Sequence, residues 1–149
     1  MISTYKQAVK FLEKYIPPNK WKYPGKLGLD RMKNLVNLIG NPQDEYKTIH
    51  VGGTAGKGST ATIIASILAT KYKVGLHTSP HLEKVNQRFT LMINEKGKVK
   101  NKNMSNKELI NIVNEIKPAV EKMSNNNLGA PSYFEIVTSM AFLHFKKQK

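Results

Sequence analysis

The chain has 149 residues, 40% of them hydrophobic, with no cysteine and a net charge of +14. That length suits one modest domain with a real core. The missing cysteines exclude a disulfide framework, a thiolate metal site and a thiol nucleophile. No apolar run approaches the ~20 residues that span a bilayer, and the opening Met-Ile-Ser-Thr-Tyr-Lys lacks the apolar stretch of a secretory signal, so a cytoplasmic location is expected. Arg31 and Arg88 are the only arginines among the 24 cationic residues. Bidentate readout of bases or phosphates favours arginine, so the charge is read as lysine-rich solvated surface rather than a nucleic-acid interface. It would still draw anionic small molecules weakly.

Taken in chain order, Tyr5, Val9, Leu12 and Ile16 recur at helical spacing, and Pro17-Pro18 ends that helix. A turn-rich stretch runs on to Pro24-Gly25. Leu29, Met32, Leu35, Val36 and Ile39 mark a second helix, stopped by Gly40-Asn41-Pro42. Thr48-Ile49-His50-Val51 is a β-branched run that meets glycines at once, which predicts a strand entering a tight turn. Ile63, Ile64, Ile67 and Leu68 then predict a largely buried helix over 57–71. Lys73-Val74-Gly75-Leu76-His77 reads as the next strand, and strand–helix–strand order predicts a parallel pair with a right-handed crossover. A further strand is expected over 88–93, with Asn94-Glu95-Lys96-Gly97 as a turn. Ser105-Asn106-Lys107-Glu108 has the form of a capping box, followed by Leu109, Ile112, Val113 and Ile116 on one face. Pro118 is expected to kink or divide that helix. A loop over 125–132 and an apolar helix over 134–145 close the chain. Two or three strands are fewer than an open α/β sheet normally has, typically ~4–6, so the sequence reads as part of a larger domain.

The chemistry concentrates in Gly53-Thr54-Ala55-Gly56-Lys57-Gly58-Ser59-Thr60. Amides of a glycine-rich turn at a helix N-terminus suit phosphate oxygens, and glycine permits the positive φ such a turn needs. A lysine just inside the helix adds charge near the β/γ-phosphates. The match to Gly-x-x-x-x-Gly-Lys-[Ser/Thr] is partial, because Val51 replaces the first glycine and Gly58 stands where Ser or Thr would follow the lysine. On the loop alone, a merely flexible strand–helix turn stays open beside phosphate binding.

Those departures resemble the Mur-type amide ligases, which carry Gly-Thr-Asn-Gly-Lys-[Gly/Thr]-[Ser/Thr] here. Other segments resemble the folylpolyglutamate synthase/dihydrofolate synthase branch: Leu27-Gly28-Leu29-Asp30-Arg31-Met32, Gly40-Asn41-Pro42-Gln43, Val74-Gly75-Leu76-His77-Thr78-Ser79-Pro80-His81-Leu82, Asn86-Gln87-Arg88-Phe89 and Tyr133-Phe134-Glu135. Gln87 takes the place of an acid in the family pattern, and Ala55 that of an asparagine. The matches follow the family's order along nearly the whole chain.

What the resemblance implies is an α/β, P-loop NTPase-like parallel sheet with flanking helices, incomplete at its C-terminus. Residues 1–149 would be the N-terminal part of the ATP-binding domain, lacking its remainder and the C-terminal glutamate-ligase domain. The implied reaction uses ATP and Mg²⁺ to join L-glutamate to dihydropteroate or a folate through an acyl phosphate, with the chain a monomer and inactive alone. Lys57 would be catalytic, and Gly53 to Thr60 would hold ATP. Lys26, Leu27, Gly28, Pro80, His81, Arg88, Tyr133, Phe134 and Glu135 would contact the pteroate or folate, and Ser79 would ligate the metal. Glu135 reads equally well as an acid favoured at a helix N-terminus, and His81 as a residue that shapes its loop. His50, on the expected strand, and His144 are read as structural. The rivals are another Mur-type ligase, a P-loop kinase or hydrolase, which Gly58 disfavours, and a basic nucleic-acid-binding module.

Overall fold

The computed structural model describes residues 1–17 and 25–149; most of the expected turn-rich stretch before Gly25 lies outside them. The chain forms two compact units, one of Met1–Tyr46 with Lys107–Gln148, the other of Lys47–Asn106 with the terminal Lys149.

The first unit is helical: α1 (Tyr5–Glu13), α2 (Gly25–Leu38), α4 (Asn106–Ser124, all but its first residue) and α5 (Tyr133–Lys147). Its entry is fixed by a capping box. Gln7 N–H donates to the Thr4 hydroxyl, while Gln7 Oε1 accepts the amides of Ser3 and Thr4, satisfying donors that a helix start leaves orphaned. The Asn114 amide group both accepts from Ile2 N (2.9 Å) and donates to Ile2 O (2.7 Å), tying the N-terminal residues to α4. The α2 helix starts four residues before Leu29. It ends in a Schellman closure, with Gly40 at φ +81° and Asn41 at +49°. There Gly40 N–H donates to Asn37 O, and Asn41 N–H to Val36 O. Pro42–Glu45 follows as a 3-10 turn. Pro118 does not divide α4, which runs as one helix from Asn106 to Ser124. Its face of Leu109, Ile112, Val113, Ile116, Val120 and Met123 is buried on both sides of the proline, and that burial outweighs one missing backbone hydrogen bond. Leu12, Leu35, Ile136, Val137 and Met140 complete the core.

Within this unit the Tyr46 hydroxyl donates to Phe142 O at 3.2 Å, and burial pushes its pKa up to about 12. A folded-state pKa above the ordinary value of 10 stabilises the fold fully below pH 10 and loses that contribution as pH rises from 10 towards 12. Thermal unfolding of the parent and Tyr46→Phe between pH 8 and 11 is expected to show the steeper alkaline decline in the parent; equal slopes would mean the hydroxyl is freely hydrated.

The second unit holds α3 (Lys57–Leu68), β1 (Val74–His77), β2 (Phe89–Glu95) and β3 (Lys98–Asn103). The sheet corrects the expected parallel pairing. Its order is β1-β2-β3 and both pairs are antiparallel, with Leu76 opposite Thr90 and Ile93 opposite Lys100. Thr48–Val51 forms no strand, and His50 with it is exposed. A β-branched run has the propensity, but a strand also needs a ladder partner, and among the described residues β1 is paired with β2 alone. The hairpin between β2 and β3 turns on Lys96 (φ +52°) and Gly97 (φ +84°), the two positive dihedrals of a type I′ turn. Asn94 Oδ1 caps it by accepting Gly97 N–H at 2.8 Å.

One face of the sheet packs on α3 through Ala65, Ala69 and Met92, with Val74, Leu76 and Val99 around them. The expected burial of α3 is only partly met. Ala65 is its one buried residue, whereas Ile63 and Ile67 are 61% and 64% exposed.

Candidate phosphate-binding site

The turn 53–56 is built by glycine. Gly53 has φ +146° and Gly56, the residue before α3, has φ +74°, a region that costs other residues roughly 1–2 kcal/mol. The first return bond of α3 runs from Thr60 N to Gly56 O. Among the described residues, none accepts from the amides of Lys57, Gly58 or Ser59. Three orphan donors at the positive end of a helix, all solvent-exposed, are what an anion's oxygens fit. Lys57 Nζ folds over the same turn and donates to Gly53 O at 2.7 Å and Thr54 O at 3.1 Å. Both contacts are exposed, so a phosphate oxygen can replace them without leaving a buried group unpaired.

In the same unit, Thr78–Lys84 joins β1 to a 3-10 turn, Val85–Arg88. Ser79 and Pro80, joined by a cis peptide bond, are exposed. Arg88 is buried, and its Nε donates to His81 Nδ1 at 2.8 Å. That hydrogen bond brings His81 and Arg88 together, which fits the loop-shaping reading of His81. It requires a neutral His81, in keeping with a pKa lowered by burial and then by the Arg88 charge. His77 Nδ1 lies 2.8 Å from Arg88 O, so Nδ1 carries the proton, and its ring stacks on Phe89 at 5.6 Å. Burial lowers the His77 pKa, the carbonyl opposes that, and Arg88 adds to the lowering.

The remaining expected substrate residues lie in the helical unit. Lys26 and Leu27 are exposed and Gly28 is half-buried on α2; Phe134 is exposed and Tyr133 half-buried on α5. Glu135 is 6% exposed and Arg31 2% exposed. Their ion pair (Arg31 Nε to Glu135 Oε2, 3.2 Å) joins α2 to α5 where Leu27 and Phe134 protrude. Glu135 Oε2 also accepts Ser132 N–H at 2.7 Å, closing the capping box of α5. Of its two readings, the carboxylate's contacts favour the capping one. Arg31 as its partner was not foreseen, because the two lie 104 positions apart.

The free amides and Lys57 fit a nucleotide's phosphates. For a divalent cation, Ser79 offers one exposed oxygen, and the described residues contain no group of three His, Cys, Asp or Glu that could hold one.

No family model matches the chain. Relatives do. It is 36% identical over 146 residues to the dihydrofolate synthase/folylpolyglutamate synthase of Bacillus subtilis, covering 97% of this chain and 31% of that protein. The folylpolyglutamate synthase of Thermotoga maritima superposes with a TM-score of 0.78 at 33% identity, over 97% of this chain and 30% of that one. An FPGS–AMPPCP–folate complex superposes at 0.77 and 28% identity, over 98% and 33%. A bifunctional folylpolyglutamate synthase/dihydrofolate synthase with Mn, AMPPNP and L-glutamate bound superposes at 0.64 and 25%, over 99% and 31%. The mixed helix-and-sheet fold with its glycine turn is therefore of the Mur-ligase-like class. Within that class the chain belongs to the folylpolyglutamate synthase/dihydrofolate synthase family, and it spans about a third of the length of each of these four relatives.

Proposed function

We propose that the chain is the phosphate-gripping front part of an ATP-dependent ligase that joins L-glutamate to dihydropteroate or a folate. It would work as a monomer in the cytoplasm, with Mg²⁺ as the metal. The observation that carries this reading is the set of unpartnered amides of Lys57, Gly58 and Ser59 beneath the Lys57 ammonium. ATP and a divalent metal have counterparts among the relatives, where an ATP analogue with folate, and Mn with an ATP analogue and glutamate, are bound.

A free carboxylate is a poor acyl donor, and ATP when bound supplies the phosphoryl group that activates it. The chain's own residues then position and neutralise charge. Gly53 to Thr60 orient the phosphates through backbone amides. Lys57 exchanges its two carbonyl contacts for phosphate oxygens, and Ser79 offers an oxygen to the metal, which accepts such ligands. The exposed Leu27 and Phe134 present apolar surface suited to a flat heteroaromatic ring. Within this reading residues 1–149 belong to a larger ATP-binding domain, a view supported by the edge of β1 that stays open among the described residues and by the exposed Ile63 and Ile67 of α3.

The test is a titration of the chain with Mg²⁺ and a non-hydrolysable ATP analogue, read by amide NMR. Shifts centred on 53–60 are expected, and shifts scattered over surface lysines would overturn the reading. Because this reading assigns the metal a single oxygen from the chain, that of Ser79, the chain alone is expected to give no ligase turnover. Release of phosphate that depends on both glutamate and folate would contradict this.

A further inference from the structure

Three consecutive side chains on the 3-10 turn before β2 hold the residues around it. Asn86 Nδ2 donates to Met104 O at 2.8 Å, anchoring the turn beneath the end of β3. Arg88 Nε reaches His81. Between them, Gln87 Oε1 accepts three successive amides, Leu82 N at 3.0 Å, Glu83 N at 3.0 Å and Lys84 N at 3.4 Å.

One oxygen gathering three N–H groups curls the backbone into a fixed nest-like turn. Leu82 itself is 93% exposed although its backbone is tied down.

We propose that Gln87 is the positioning residue of the Ser79–Lys84 loop, its side-chain carbonyl fixing the backbone of Leu82, Glu83 and Lys84 and with it the placement of Ser79, Pro80 and His81. The inference rests on the ligase reading, in which Ser79 would ligate the metal and Pro80 and His81 would contact the pteroate or folate. What does the work is an acceptor oxygen, whatever its charge. Glutamate at this position would hold the same three amides, with a stronger, charge-assisted bond. A side chain of equal length without an acceptor would not.

The test compares the full chain with Gln87→Glu and Gln87→Met by amide hydrogen exchange. In Gln87→Met the amides of Leu82, Glu83 and Lys84 are expected to exchange at least about fivefold faster, the effect of losing one ordinary net hydrogen bond. Gln87→Glu is expected to keep or increase their protection, and amides of α4 and α5 should be unchanged in both. Unaltered exchange at the three amides in Gln87→Met, or acceleration by both substitutions alike, overturns the proposal. So would acceleration spread over the whole chain in Gln87→Met while Gln87→Glu matches it. No nucleotide or folate enters the measurement, so its failure leaves the phosphate-loop reading standing, and failure of the nucleotide titration leaves this one standing.

Discussion

Replacing Arg31 with methionine is expected to destabilise the helical unit by about 3–5 kcal/mol, because it strands the Glu135 carboxylate without its counter-ion. Both side chains are almost wholly buried, with relative exposures of 3% and 8%. The pair is nearly a fork, since Glu135 Oε1 lies 3.3 Å from Arg31 Nη2 and 3.4 Å from Nε, and Oε2 lies 3.2 Å from Nε. An exposed ion pair would be worth ~1 kcal/mol or less, so burial sets the size of the effect. Urea denaturation followed by circular dichroism measures it. Glu135→Gln keeps an oxygen for Ser132 N–H but removes the negative charge facing the guanidinium, and a loss in the same direction is expected. The double substitution removes both charges and is expected to fall within about 2 kcal/mol of the parent. A loss below about 1 kcal/mol in Arg31→Met would show that water reaches the pair. The functional corollary is that Glu135 holds the start of α5, and with it Phe134.

That pair also marks the limit of what could be read from the amino-acid order. Local signals transferred well. The glycine turn before α3, the Gly40-Asn41-Pro42 stop and the Ser-x-x-Glu start of α4 each depend on residues within a few positions of one another, and each is where the sequence puts it. Tertiary choices did not transfer. Thr48–Val51 has strand composition, yet pairing depends on what lies beside it. The strand β3 was missed because Val99 is its only apolar residue among lysines and asparagines; its signal was the Lys96-Gly97 turn, which fits a hairpin as readily as an exit loop. The lysines at Lys98, Lys100 and Lys102 suit an edge strand, where charge discourages pairing with other chains. Gln87 was noted only as a departure from an acidic family position. Its role depends on an oxygen that both residue types carry, so a comparison of charges hides it. The shortfall in α3 burial has the same origin, since helical periodicity identifies apolar residues without specifying what covers them.

Lys57→Ala is expected to weaken binding of a magnesium–ATP analogue by about 10- to 100-fold, the range given by losing one hydrogen bond from a charged group, ~1.5–3 kcal/mol. Folding should be nearly untouched. The ammonium lies in solvent on two carbonyls of its own turn, and substitutions of that kind usually stay within about 0.5 kcal/mol. The separation of affinity from stability is what makes the experiment decisive. Lys57→Arg retains the charge but replaces a compact ammonium with a planar fork, so it should recover part of the affinity. Gly56→Ala works through a different cause. Open space surrounds the position a Cβ would take, so the penalty is the strain of φ +74°, roughly 1–2 kcal/mol, and it falls on the turn that aligns the three amides. If the amides supply most of the grip, Gly56→Ala should weaken binding at least as much as Lys57→Ala. If the ammonium supplies most of it, Lys57→Ala should dominate and the residual affinity should fall steeply with added salt. Binding unchanged in both variants would remove the phosphate from this turn altogether.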